Sequence, residues 1–445
     1  MTRTPEKQRA EELPLSSESR ISPANPETRE QSSQPVVSVG IDWTDSAHAY
    51  ALRAPDGTTH AGEFKQTPEA IGTLLESWTR LYPDARIEIC IETSRGALIN
   101  ALLESPHVTI YPVNPNALAN YRKSFAHGGG KSDPVDAQLI LQYLESYPER
   151  LRPLRRDEPQ TRELATLCED RRRLVDQRVA LANELKALLK VYFPAILLLE
   201  PARIHAEFIV RLLLKFPSLE QVQAAGRTKL RKLLFGIGAK AIAEKRLDVL
   251  MNATPLTSDA VAIRSCARRV QAICGLLDSL NRSISSYDSE IKKLVKTHAD
   301  YVVVASLPGA SHKTQGRIIA ALGDDRSRYA NAAAFQAAAG IAPLTSQSGK
   351  QRYVSSRWAC TKFIKQTFHE YAGLSITKCA WAKAYYDLQL SKGKSTHMAR
   401  RALAYKWMRV TYRLWQEREA YDDVRYVERL KATGSPIAER LSPAA

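Results

Sequence analysis

The sequence predicts an α/β N-terminal domain, a helical middle region and a mainly α C-terminal domain. Three observations carry this. Between Val36 and Tyr147, short β-branched runs alternate with stretches of helical spacing, the pattern of a sheet packed against helices. From about residue 151 to 300, strand signals fall away and long charged stretches with narrow apolar stripes take over. At Tyr301 the texture changes again, to helices separated by Gly- and Ser-containing turns. The expected division is a disordered tail at 1–34, domains at 35–150, 151–300 and 301–430, and a frayed end at 431–445.

Residues 1–34 are rich in Glu, Ser, Pro, Arg and Gln and hold hardly any large apolar side chain, too little to offset chain entropy. Val36-Val-Ser-Val-Gly-Ile-Asp42 then reads as a strand ending in an acid. A second apolar stretch, Ala49–Leu52, leads into the turn Pro55-Asp-Gly57 and a further extended run. Pro68–Tyr82 has helical spacing (Ile71, Leu74, Leu75, Trp78, Leu81) behind a capping Thr67. Arg86–Glu92 and Val108–Val113 are strands, and Ser132–Tyr147 is a helix that follows the hinge-like Gly128-Gly-Gly130. Arg162–Tyr192 and Val261–Val295 are long helices suited to a helical hairpin or coiled coil, with an additional helical segment around Phe208–Thr254 between them. Ser306-Leu-Pro-Gly309 and the run after it read as helix, tight turn, helix, like a helix-hairpin-helix element.

Composition limits the functional classes. Of 445 residues, 44% are hydrophobic and 25% charged, ordinary for a globular protein. The most apolar run, Ala195–Leu199, is far short of the ~18 residues that a spanning helix needs, so no membrane role is expected. The six cysteines form no metal-finger spacing and are expected as reduced thiols in a cytoplasmic protein. Lys and Arg outnumber Asp and Glu by 64 to 47, a net charge of +17, which points to nucleic acid as partner. That charge is uneven: between Lys350 and Arg418, 15 basic residues stand against 3 acids, a net of +12.

Four acids stand out by placement. Asp42 and Glu92 end two strands, while Asp133 and Asp136 open a helix at i, i+3 spacing, on one face. Each alone has an ordinary reading; Asp133 beside Pro134 also suits a helix start. Together, as hard oxygen ligands, they suit Mg²⁺ (or Mn²⁺) and the chemistry of phosphodiesters. In the second half, Ala339-Gly-Ile-Ala-Pro343 leads to a Gly/Ser-rich loop, Ser346-Gln-Ser-Gly349. A loop serine is by itself most often a turn residue.

In combination these motifs resemble the IS110-family transposases of bacterial insertion sequences. The resemblance spans about residues 36–425. It rests on Val-Gly-Ile-Asp42, Ile-Glu92-Thr, Lys-Ser-Asp133-Pro-Val-Asp136-Ala, Leu-Pro-Gly309, Gly323-Asp-Asp-Arg-Ser-Arg-Tyr329, Ala-Gly-Ile-Ala-Pro343 and Gln-Ser348-Gly. It implies a RuvC-like, RNase H-fold first domain with a DEDD metal site matching Asp42, Glu92, Asp133 and Asp136. It also implies an oligomerising coiled coil, giving a dimer or tetramer, and a C-terminal domain with a catalytic serine. Ser348 matches that serine best, with Ser346 next. The implied reaction is DNA cleavage and rejoining by transesterification, guided by a structured RNA from the element. Lys350, Arg352, Arg357, Lys362 and Lys365 are expected against nucleic acid, and Tyr353, Trp358, Phe363, Phe368, Trp381, Tyr385, Tyr386 and Trp407 as base-stacking or core residues. The alternative is a Mg²⁺-dependent Holliday-junction-type nuclease in which water attacks and Ser348 is structural. In the cell the protein is expected at the nucleoid when active.

Overall fold

The computed structural model describes residues 34–125, 132–200, 202–236, 243–349, 351–355, 357 and 360–441. The N-terminal tail and the Gly128–Gly130 stretch lie outside these. The chain divides into two compact units, 1–156 and 157–445.

The first unit is a five-stranded sheet with helices on both faces. Its strands are β1 (Val36–Asp42), β2 (Ala47–Arg53), β3 (Thr59–Lys65), β4 (Arg86–Ile91) and β5 (Val108–Pro112). Their spatial order is β3-β2-β1-β4-β5. β1 and β3 pair antiparallel to β2, whereas β4 pairs parallel to β1 and to β5. The helices are α1 (Pro68–Leu81), α2 (Ala97–Leu102), α3 (Pro115–Phe125) and α4 (Asp133–Ser146). The Thr67 side chain caps α1 by accepting from the Ala70 amide at 3.2 Å.

Strand alternation sorts the sheet residues. Val37, Val39, Ile41, Ile87, Ile89, Ile91 and Ile110 share one face with Ile71 and Trp78 of α1 and Leu98, Ile99 and Leu102 of α2. The alternate positions face α4: Cys90 packs with Leu139, Ile140 and Leu144, and Ala49 and Ala51 pack with Ala137 and Leu141. β3 is the exposed edge, with only Phe64 buried.

The second unit is built on α5 (Pro159–Tyr192) and, further along, α9 (Ala260–Thr297). Leu164 and Cys168 near the start of α5 cluster with Ile291 and Val295 near the end of α9. Leu185 and Leu189 cluster with Val270, Ile273 and Leu277, so the two helices run antiparallel over their length. Between them in sequence come α6 (Glu207–Lys215), α7 (Leu219–Gly236), kinked where Gly226 takes φ 73°, and α8 (Ala243–Met251). These close the second core around Phe193, Ile209, Leu212 and Leu213. The expected helical middle is therefore found, as a spine of two helices with a small helical subdomain at one end.

At the other end of the spine stand α10 (Tyr301–Ala305), α11 (His312–Leu322), α12 (Ala332–Ala338), strands β6 (Leu344–Ser348) and β7 (Gln351–Ser355), then α13 (Lys362–Ser375), α14 (Ala380–Ser391), α15 (Thr396–Glu417), α16 (Asp423–Ala432) and α17 (Pro436–Glu439). Their core is aromatic: Phe335, Phe368, Tyr371, Trp381, Trp407 and Trp415 are fully buried. Gly309, at φ 79°, turns the chain between α10 and α11. One expectation is corrected: the Gly/Ser-rich stretch is a β-hairpin, turned at Gly349 (φ 57°), rather than a loop. Among the described residues, no helix is long and apolar enough to cross a membrane.

Candidate active site

The parallel register of β1 and β4 brings two acids side by side. Ile41 pairs with Ile91; Asp42 is the last residue of β1, and Glu92 directly follows β4. Neighbouring strands lie about 4.8 Å apart. Asp42, opposite Ala49, belongs to the alternation that holds Gly40 and so stands on the face covered by α4; Glu92 lies just beyond the end of β4, two residues past Cys90 of that face.

α4 crosses this face antiparallel to β1. Its Leu141 lies over Gly40, and Glu145 near its C-terminus pairs at 2.6 Å with Arg53, the residue opposite Ser38. Its N-terminal turn therefore comes over the Asp42 end of the sheet, bearing Asp133 and Asp136. Gly40 permits the approach. A Cβ there would lie 2.3 Å from the Ala137 carbonyl oxygen and 2.4 Å from the Leu141 nitrogen.

The four acids thus share one end of the first unit but differ in surroundings. Asp133 is exposed, Asp42 and Glu92 are half-buried, and Asp136 is buried. Asp136 is paired with the Arg122 guanidinium from the last turn of α3. Among the described residues, no three His, Cys, Asp or Glu side chains are gathered closely enough to hold a metal ion. The donor set still fits a hard divalent cation, being all carboxylate and placed at one sheet end. Cys90 beside it is no rival nucleophile, because burial pushes its thiol up to about 12.

The candidate serines lie in the second unit. Ser346 is exposed on β6, opposite Tyr353, and Ser348 ends β6 opposite Gln351. Arg352 lies on β7, and Lys350 falls outside the described residues. Arg357 is half-buried. Lys362 and Lys365 open α13, three residues apart, the first exposed and the second half-buried. Of the expected aromatics, Phe368, Trp381 and Trp407 are core, and Phe363, Tyr385 and Tyr386 pack against it. Tyr353 is 61% exposed, and Trp358 lies outside the described residues.

A second polar cluster surrounds Gly323-Asp-Asp-Arg-Ser-Arg-Tyr329. His298 and Thr161 are hydrogen-bonded at 2.7 Å, and Thr161 donates to Asp324 at 2.8 Å. The arrangement resembles a nucleophile triad, but its protons run the wrong way. The Asp300 amide donates to His298 Nδ1 at 3.0 Å, so the ring proton sits on Nε2, which donates to Thr161. His298 therefore cannot take the threonine proton, and the cluster is structural. Arg326 pairs with Asp300 and Arg328 with Asp157 around it. Sequence reasoning singled out this motif without its partners. It passed over Gly40, whose position inside a β-branched run was the available signal, and Arg122, which nothing in Pro115–Phe125 sets apart.

Residues 39–194 match a family model for the DEDD-type IS110 transposases, described as "Transposase". Residues 302–387 match a second, described as "Transposase IS116/IS110/IS902 family". A mini-circle putative transposase for IS117 of Streptomyces coelicolor is 26% identical over 87% of this chain and 96% of its own length. The IS116 uncharacterized 44.8 kDa protein of Streptomyces clavuligerus is 26% identical over 70% of this chain and 77% of its own. A putative transposase of Sinorhizobium fredii, y4uE, is 28% identical over 44% and 55%. Both family models thus describe a transposase, an enzyme that acts on DNA. This chain belongs to the IS110 family of transposases.

Proposed function

We propose that the enzyme cuts and rejoins DNA by transesterification, with metal-binding carboxylates and a serine nucleophile. The observation that carries this reading is that Asp42, Glu92 and the Asp133/Asp136 turn all stand at one end of the sheet. The strand order β3-β2-β1-β4-β5, with its antiparallel and parallel halves, supports an RNase H-like first domain. Asp42, Glu92, Asp133 and Asp136 would hold the metal. Magnesium bound there would neutralise charge on the phosphate and lower the pKa of an attacking hydroxyl.

The protein's own groups do the rest. The Ser348 hydroxyl attacks phosphorus; a P–O bond to serine forms as the P–O bond to a sugar oxygen breaks. The serine proton passes, directly or through water, to that leaving sugar oxygen. A second sugar hydroxyl then reverses the step and frees the serine. The phosphoserine keeps the bond energy for rejoining. The positive strip that begins at Lys350 and includes Arg352, Arg357, Lys362 and Lys365 binds phosphates of DNA and of a structured guide RNA. Exchange between two duplexes needs several sites at once, so the working enzyme is a dimer or tetramer, with the helical spine as the assembling element.

The test uses the gene with its native flanking DNA. Rejoined junctions are scored for wild type, Asp42→Ala and Ser348→Ala, and protein–DNA adducts are sought on denaturing gels. Loss of junctions in both variants, with an adduct that needs Ser348, is the expected result. Junctions that persist in Ser348→Ala would remove the serine from the mechanism, with Ser346 the next to test. Cut but unjoined DNA that survives Ser348→Ala would mark a metal-dependent nuclease.

A further inference from the structure

Asp136 is the buried member of the four acids, 5% exposed, and it already carries a cation, the Arg122 guanidinium. A buried carboxylate left unpaired is costly, so the chain must supply a counter-ion whenever no metal does. The pair is not needed to hold α3 in place. Leu118 is buried with Leu139, Ile140 and Tyr143, and the Tyr121 ring lies 5.3 Å from Tyr143 and 5.6 Å from Tyr147. The backbone that carries Arg122 is therefore anchored by apolar and aromatic contacts on α4. The Arg122 side chain itself is 34% exposed, against 6% for that of Asp136, so the guanidinium can swing into solvent while the acid cannot.

We propose that Arg122 is a displaceable counter-ion, a positioning residue that holds Asp136 until a divalent cation takes its place. The inference rests on reading the four acids as a metal site. The guanidinium then competes with metal for one carboxylate. It holds that acid in place until metal binds, and it sets how much free metal is needed to displace it.

The test measures Mn²⁺ binding to the full-length protein by electron paramagnetic resonance, with Mg²⁺ as competitor. Arg122→Gln should bind Mn²⁺ at least about threefold tighter, the scale of one partly exposed ion pair. The gain should shrink at high salt. Arg122→Lys keeps the charge and should bind nearly as wild type does. In an Asp136→Asn background, Arg122→Gln should change nothing. Thermal melting checks that each variant folds. If Arg122→Gln leaves Mn²⁺ affinity unchanged or weaker while Asp136→Asn lowers it, the pair is structural and the proposal fails alone. If Asp42→Asn and Asp136→Asn both bind Mn²⁺ as wild type does, the metal-site reading fails and takes the proposal with it.

Discussion

Gly40 shows how much one missing side chain can position. With hydrogen at that point, α4 lies directly on β1, and Asp136 is drawn to the sheet end that bears Asp42. Gly40→Ala puts a methyl against the backbone of Ala137 and Leu141, and neither is a side chain that can turn away. We expect a loss of about 1–3 kcal/mol in stability, the usual range for overpacking. Junction formation should fall further than stability alone explains, because α4 must lift with its acids; a folded, fully active Gly40→Ala would contradict this. Histidines give a second test. Burial, first of all, holds His298, His205 and His369 below the ordinary value of 6.5. Their neutral rings contribute stability that is whole above about pH 6.5 and is lost as the pH falls through the lower folded values. The melting temperature should drop on acidification below pH 6.5, less steeply in His298→Asn; a flat profile from pH 7 to 5 would refute it. At this scale Asp42 and Glu92 were legible because each ends a run of alternating β-branched residues. Arg122 was not, since a charged residue at a helix end looks the same whether it meets water or a buried acid.

Among the elements, the long helices were the easiest to read and the hairpin the hardest. The spacing of Leu164, Leu185 and Leu189, and of Val270, Ile273 and Leu277, marked α5 and α9 because an apolar stripe of helical period runs along each. Within the chain those stripes face each other and also α6 and α11. β6 and β7 carry no such stripe: Thr345, Ser346 and Gln347 are all exposed, so no alternation betrays a strand. Only Gly349 at the turn is a local signal. The contrast is measurable. Leu185→Ala, emptying a fully buried position between α5 and α9, should cost about 2–5 kcal/mol in denaturant unfolding. Tyr353→Ala, on the exposed hairpin, should move stability by no more than about 0.5 kcal/mol. If Tyr353 stacks a base, the same change should weaken single-stranded DNA binding by about 1–3 kcal/mol in fluorescence anisotropy. Unchanged anisotropy would leave the hairpin without a stacking role, and a large loss of stability on Tyr353→Ala would mean that it packs against something.

For the whole molecule, charge is the property that composition fixed most directly and that the fold refines. Of the net +17, the stretch from Lys350 to Arg418 supplies +12. Its three acids are already engaged. Glu370 is taken by Arg172 and Arg317 from outside the stretch, Asp387 by Lys383, and Glu417 by Arg413. Within the stretch these acids take up only Lys383 and Arg413 among the described residues, which leaves most of the surplus for the phosphate contacts proposed above. Binding driven by such contacts releases counter-ions, so log K should fall linearly with log salt. With six to ten phosphate contacts, affinity should drop by about 10³–10⁵ between 50 and 200 mM salt. Lys362 and Lys365 open the same helix face, and replacing either by Ala should lower the salt slope by about 1, uniformly across DNA sequences. Sequence-independent loss is the expected signature, because in the proposed mechanism a guide RNA, and not these side chains, reads the bases. A slope that both substitutions leave unchanged would show that phosphate binding lies elsewhere on the chain. A loss confined to particular DNA sequences would show instead that the protein itself contacts base edges.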